Sequence, residues 1–382
     1  MKKIIIIFVL TTSLIVLANP KTETKKEEEI KGIFISYIEL NKYVNKNEKE
    51  SKQNIIKMLN NIENLKLNTI FLQVRISSDA IYHSKIYPTS MYIVKEEGMS
   101  SYDVLDYFLK KSHEKNIKVY AWINPYRVRT TEDTTTITKT NPAYQYLNTD
   151  YIYINDGIYY NPAKEEVTNL IIEGVKEILT YPIDGLIMDD YFYPNDDIDE
   201  KDYQDYLKNN EEITKQEFHL QVINNMVEKV HEECQKHNIL FGISPEGNIE
   251  NNYQKNYADV RLWMREDNYI DFIMPQIYYG FYNSTKGYYK VIKEWESLLK
   301  NNRIKLLVAL AFYKVGKEDP YAKEGREEWL QNSNIIMREI LLSRNIKNYK
   351  GFSLFRYDSI FDLDNYTQMT IPEIENMKKI MK

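Results

Sequence analysis

From residue 31 to the C-terminus, short apolar runs alternate with longer stretches in which apolar positions recur every three to four residues. The short runs lie at 32–38, 69–74, 118–123, 183–188, 240–244, 270–277, 304–312 and 351–355, eight in all. The long stretches, at 54–65, 102–115, 165–179, 211–237, 257–265, 288–299 and 327–342, carry the helical period. Strands that read as continuous apolar runs are buried on both faces, the habit of parallel sheets covered by helices. Eight of them alternating with helices, with no internal repeat, predict an α/β chain folded as a single-domain (β/α)₈ TIM barrel. The competing topology is an open doubly wound sheet, and neither a glycine-rich loop after the first strand nor a P-loop lysine is present to support it.

The pattern also marks what lies outside the barrel. Lys2 and Lys3 precede an apolar run over 4–17, and Val16-Leu17-Ala18 offers small-residue cleavage after Ala18. Residues 1–18 therefore read as an export signal, 19–30 as a charged linker and 31–382 as the barrel. Export places the chain outside the cell, in the periplasm or on the envelope, whereas an uncleaved run would tie it to a membrane. No cysteine follows the run, which excludes a lipid-modified N-terminus. Within the barrel, the longest excursion follows the third strand, from 128 to about 161. There Asp156-Gly157, set between alternating residues, predicts a tight β-hairpin forming one wall of a groove.

In such a barrel, function sits on the loops after the strands, because those line the open mouth. This chain spends its unusual residues there. Gln73, Arg75 and Asp79 follow the second strand, and Trp122, Asn124, Pro125, Tyr126 and Arg127 the third. Asp189, Asp190, Tyr191 and Tyr193 follow the fourth, Ser244, Glu246 and Asn248 the fifth, Gln276, Tyr278 and Tyr279 the sixth, and Arg356 and Tyr357 the eighth. Any one of these is explained by a capped loop, and Asp190 by capping the next segment, but the joint pattern is not.

Composition narrows the chemistry. A formal charge of −6 with no Lys/Arg-clustered face excludes nucleic acid as a partner. The single Cys234 excludes a disulfide framework, and its helical setting marks a packed thiol. Of five histidines, four fall in helical stretches and His83 in a loop, so no strand end offers zinc a ligand. Asp189 and Asp190 with nearby carbonyls could hold Mg²⁺ or Ca²⁺, but their spacing matches no loop motif. No Gly-x-Ser-x-Gly elbow is present, and no cofactor motif is found.

Two carboxylates flanking a groove suffice to cleave a glycosidic bond: one donates a proton to the leaving oxygen and the other acts as nucleophile or base. Asp189 and Glu246, on adjacent strand ends, form that pair, with Asp190 in reserve. Arg75 and Arg127 are suited to hold sugar hydroxyls or keep an aspartate ionised, although Arg75 could instead brace the mouth through Asp79 or Asp189. The remaining substrate contacts are assigned to Asp79, Trp122, Asn124, Tyr126, Tyr191, Tyr193, Gln276, Tyr278 and Arg356. The 33 tyrosines count less by number than by place, since the chain is Tyr-, Ile-, Lys- and Asn-heavy throughout.

Ordered blocks then point to a family. They are Gln73-Val74-Arg75, Ala121-Trp122-Ile123-Asn124-Pro125-Tyr126-Arg127, Asp189-Asp190-Tyr191-Phe192-Tyr193-Pro194, Gly242-Ile243-Ser244-Pro245 and Met274-Pro275-Gln276-Ile277-Tyr278. The chain resembles the bacterial glycosyl hydrolase-like 10 family from about residue 31 to 357. That resemblance implies an envelope glycoside hydrolase of barrel fold acting on peptidoglycan glycan strands. The chain departs from the family pattern at Glu246, where many relatives carry an apolar residue, and at Phe218-His219-Leu220, where a Trp-Arg-Arg block is usual. The alternatives are a glycan-binding barrel without turnover and a polysaccharide deacetylase.

Overall fold

In a computed structural model of the protein, residues 28–94, 100–189, 192–209 and 212–381 are described. Residues 1–27, which hold the proposed signal and most of the linker, lie outside them, as do Asp190 and Tyr191. Eight parallel strands close into a barrel: β1 (Ile30–Ile35), β2 (Thr69–Arg75), β3 (Lys118–Ile123), β4 (Gly185–Met188), β5 (Leu240–Ile243), β6 (Phe272–Ile273), β7 (Lys305–Leu310) and β8 (Tyr349–Leu354). Each pairs with its neighbours in chain order, and β1 closes on β8 with Ile33 opposite Leu354.

Two cores follow from the alternation of side chains along each strand. In β2, which is buried throughout, Ile70, Leu72 and Val74 join the layer under the helices, while Phe71 enters the lumen. Lumen rings interlock around the barrel: Phe34 meets Phe71 at 5.2 Å, Phe71 meets Tyr120 at 5.2 Å, and Tyr120 meets Phe272 at 5.7 Å. Space for them comes from residues without side chains. A Cβ on Gly185 would lie 2.2 Å from the Tyr120 ring.

The outer helices start on polar caps. Asn47 caps Glu48–Asn64, and Thr214 with Glu217 makes a reciprocal capping box for Lys215–Lys236. After β3, three short strands, Arg127–Arg129, Ile152–Ile154 and Ile158–Tyr160, form an antiparallel sheet, with Ile154 opposite Ile158. Asp156 and Gly157 take positive φ at its turn. Among the described residues, no helix is long and apolar enough to cross a membrane.

Three elements differ from the sequence reading. The sixth strand pairs regularly only over Phe272–Ile273, because Pro275 has no N–H for the ladder; beyond it, Gln276 makes isolated bridges to Glu246 and Ala309. The stretch at 257–265 contracts to Val260–Trp263, where Asp259 caps the turn and Tyr257 adopts φ 52°. The stretch at 327–342 splits into Glu328–Gln331 and Ile335–Ser343 across Asn332-Ser333-Asn334, residues that favour turns and caps. An additional helix, Glu200–Asn209, lies in the loop after β4.

The lumen packing gives a direct test. Gly185→Ala forces a methyl against Tyr120, and urea unfolding is expected to show a loss of about 1–3 kcal/mol. A change within about 0.5 kcal/mol, the range usual for surface substitutions, would contradict this packing.

Candidate active site

The mouth is built around Asp189, the first residue past β4 and only 5% exposed. Because Trp122 and Ile187 are register partners, the end of β3 lies beside the aspartate. The Trp122 indole Nε1 donates to Asp189 Oδ2 at 3.1 Å, and Asn124 Nδ2 donates to the same oxygen at 2.5 Å. Asn124 Oδ1 in turn accepts from Gln73 Nε2 at 2.5 Å and Arg127 Nη2 at 2.9 Å. Gln73 Oε1 accepts from the Tyr37 backbone N–H at 2.9 Å. One relay of polar groups therefore crosses the ends of the first four strands and terminates on one carboxylate.

Glu246 stands one strand away, half-buried, with Oε1 accepting from Asn251 Nδ2 at 2.8 Å. Asn252 fixes its backbone from both sides, donating to the Glu246 carbonyl and accepting from its N–H. Gln276 Nε2 donates to the Ser244 carbonyl at 2.9 Å, stitching β5 to the irregular end of β6. Tyr278, Phe355 and Tyr313 pack mutually at 5.7–6.0 Å and are each partly exposed, an aromatic wall on the β6–β8 side of the barrel from Asp189. Only Tyr278 of the three had been assigned a substrate contact. Phe355 closes an ordinary strand, and Tyr313 follows one directly, so neither stood out among so many aromatics.

Arg356 belongs to a cluster that sequence reasoning left incomplete. Its Nη2 donates to Asp358 Oδ2 at 2.7 Å, its Nη1 to Ser36 Oγ at 3.3 Å, and its Nε lies 3.6 Å from Glu39 Oε1. Glu39 is fully buried, and its other oxygen accepts from the Ser36 N–H and hydroxyl. Burial, then the charge of Asp358, pushes its carboxyl up to about 7, against the pull of Arg356 and Ser36. The signal was available, since Ser36-Tyr37-Ile38-Glu39 spells a capping box at the end of the first strand.

Four assigned residues do not line the mouth. Arg75 is 2% exposed; its guanidinium lies over the Tyr87 ring at 4.7 Å and against Gly174, with Nη1 lacking a hydrogen-bond partner among the described residues. A register shift between Gln73 and Arg75 accompanies this outward turn, and the structure shows neither of the carboxylate braces anticipated for Arg75. Asp79 is closed within its own loop, accepting from the Ser77 N–H, and burial raises its carboxyl despite Ser90 and Arg129. Tyr126 is 1% exposed within the outer core. Tyr193 turns away from the mouth to donate to Asp199. Asp190 and Tyr191 fall outside the described residues.

Comparison with solved structures finds the same barrel fold in two glycoside hydrolases. The glycoside hydrolase domain of PgaB (BpsB) from Bordetella bronchiseptica superposes with TM-score 0.56 at 10% identity, over 93% of this chain and 99% of that one. Alpha-L-fucosidase isoenzyme 2 from Paenibacillus thiaminolyticus gives 0.57 at 12% identity, over 92% and 49%. Those identities establish the fold alone. The family follows from sequence: the model of glycosyl hydrolase-like 10 matches residues 29–326, and the chain belongs to that family. It is similar to glycosyl hydrolase DigH of Escherichia coli (strain K12), 30% identical over 80% of this chain and 76% of that protein. It is also similar to glycosyl hydrolase YngK of Bacillus subtilis (strain 168), 29% identical over 79% of this chain. The matched region spans 62% of YngK.

Glu39 supplies a pH test. Its carboxyl is raised from 4.5 to about 7 on folding, so between those values the folded state keeps a proton that the unfolded chain releases. Stability from this group therefore falls as pH rises through that window, by no more than about 3 kcal/mol. Urea midpoints taken near pH 5 and pH 8 are expected to drop less in Glu39→Gln than in wild type. Equal drops would contradict the buried-carboxyl reading.

Proposed function

We propose that the chain is an exported glycoside hydrolase of the bacterial envelope, cleaving peptidoglycan glycan strands by paired-carboxylate chemistry. The observation that carries this reading is the convergence of the Trp122 and Asn124 donors on Asp189 at the barrel mouth. An aspartate that accepts two hydrogen bonds on one oxygen there is suited to attack an anomeric carbon or to activate water rather than to donate a proton. Glu246, on the neighbouring strand end and half-exposed, serves in this reading as the acid that protonates the leaving oxygen. The aromatic wall of Tyr278, Tyr313 and Phe355 supplies apolar faces for a pyranose ring to pack against. Family membership and relatives named glycosyl hydrolases support the reaction class. The apolar run at 4–17 behind two lysines supports export.

A second reading, a glycan-binding barrel without turnover, draws on one observation: the Glu246 carboxylate is engaged by Asn251. The two readings separate cleanly. With purified glycan strands, Asp189→Asn and Glu246→Gln are each expected to reduce the release of reducing ends by about 10²–10⁴-fold while leaving the fold intact. Undiminished activity in both variants would end the paired-carboxylate assignment, and strand binding without product in the wild type would favour the second reading.

A further inference from the structure

The segment leaving β4 is anchored a few residues beyond Asp189 by a buried polar chain. Phe192 packs edge-on against Trp263 at 5.8 Å, and Trp263 Nε1 donates to Asn224 of the long helix Lys215–Lys236 at 2.7 Å. Tyr193 donates its hydroxyl to Asp199 Oδ2, and His219, from the same long helix, donates Nε2 to Asp199 Oδ1 at 3.0 Å. The Tyr193 and His219 rings lie 4.3 Å apart at 30°, and Tyr257, from the loop after β5, meets His219 edge-on at 4.4 Å. Asp199 is 0% and His219 1% exposed. Asp199 also accepts from the Tyr203 N–H through its carbonyl, which ties in the helix Glu200–Asn209. The segment after β4 and the long helix thus meet on one buried carboxylate, with Tyr257 packed on His219 and the helix Glu200–Asn209 held by the Asp199 carbonyl.

Such a group costs several kcal/mol to bury without partners, and here donors reach both oxygens. Nothing in the hydrolysis requires these residues to touch sugar. Their geometry joins the long helix, which is packed on the barrel wall, to residues 192–199, which begin three positions past Asp189. We propose that His219 and Asp199 are positioning residues for the reaction: acting through Tyr193, they fix the segment that leaves the barrel at Asp189 and so set where that carboxylate meets the glycan. This rests on the hydrolase reading given above.

The test uses the full chain and purified glycan strands. His219→Leu removes the donor at similar volume, whereas His219→Gln returns an N–H near the place of Nε2. Tyr193→Phe keeps the ring and removes the hydroxyl, which covers the case in which a His219 variant fails to fold. His219→Leu is expected to lower kcat about tenfold or more with KM within about twofold, because small misplacements of reacting groups cost rate more than binding. Tyr193→Phe is expected to lower kcat in the same direction, and His219→Gln to recover most of the loss. Wild-type kcat in His219→Leu and Tyr193→Phe, a loss confined to KM, or a His219→Gln variant as impaired as His219→Leu would each overturn the proposal. If the wild type releases no product, the hydrolase reading fails by itself. Limited proteolysis within 192–198 then still reads the anchor, expected faster in His219→Leu than in wild type, with equal rates overturning it.

Discussion

A carboxylate held at the end of a barrel strand, nearly out of reach of water, must find its donors in the protein. Asp189 sets that demand, and the rest of the mouth is arranged to meet it. Trp122 and Asn124 supply donors from β3; Gln73 and Arg127 hold Asn124 in place; the Tyr37 backbone holds Gln73. The members of this relay come from the ends of four consecutive strands, which the parallel pairing of β1 to β4 brings side by side. The lumen rings beneath, packed around glycines such as Gly185, keep those strands in register and give the relay a rigid floor.

The same economy of partners explains where the other titratable groups sit. Histidines serve the scaffold: His113 meets Asp184 at 2.9 Å near the N-terminal ends of the strands, and His231 lies 3.5 Å from Asp271. Glu39, Arg356 and Asp358 join the first strand's exit to the eighth's. His219, Asp199 and Tyr193 join the fourth strand's exit to the long helix. The exits of the first, fourth and eighth strands are therefore fastened by buried polar clusters.

The barrel was legible because the strands read as apolar runs and each of the first seven is followed by a stretch of helical period. Its irregularities were legible only in part: Pro275 truncating β6 follows from its missing N–H, but the splitting of 327–342 needed the packing to show it. Strand ends also told which residues could be functional, not which way they point. Trp122, Asn124 and Asp189 converge as their positions implied. Arg75, Tyr126 and Tyr193 carry equally suggestive side chains and turn into the helix layer, in the case of Arg75 where the register shifts after Gln73. One residue of slip in a strand reverses a side chain, and sequence pattern does not resolve that at a loop boundary. Glu39 was passed over for the opposite reason, because a capping box reads as local structure although here it also reaches the eighth strand.

The central claim is that Asp189 and its donors serve to break glycosidic bonds with water. The most direct measurement is mass analysis of glycan strands digested by the wild-type chain in heavy-oxygen water. Hydrolysis predicts new reducing ends, each carrying one heavy oxygen. Fragments without the label, or intact strands after prolonged incubation with a chain that binds them, would contradict it.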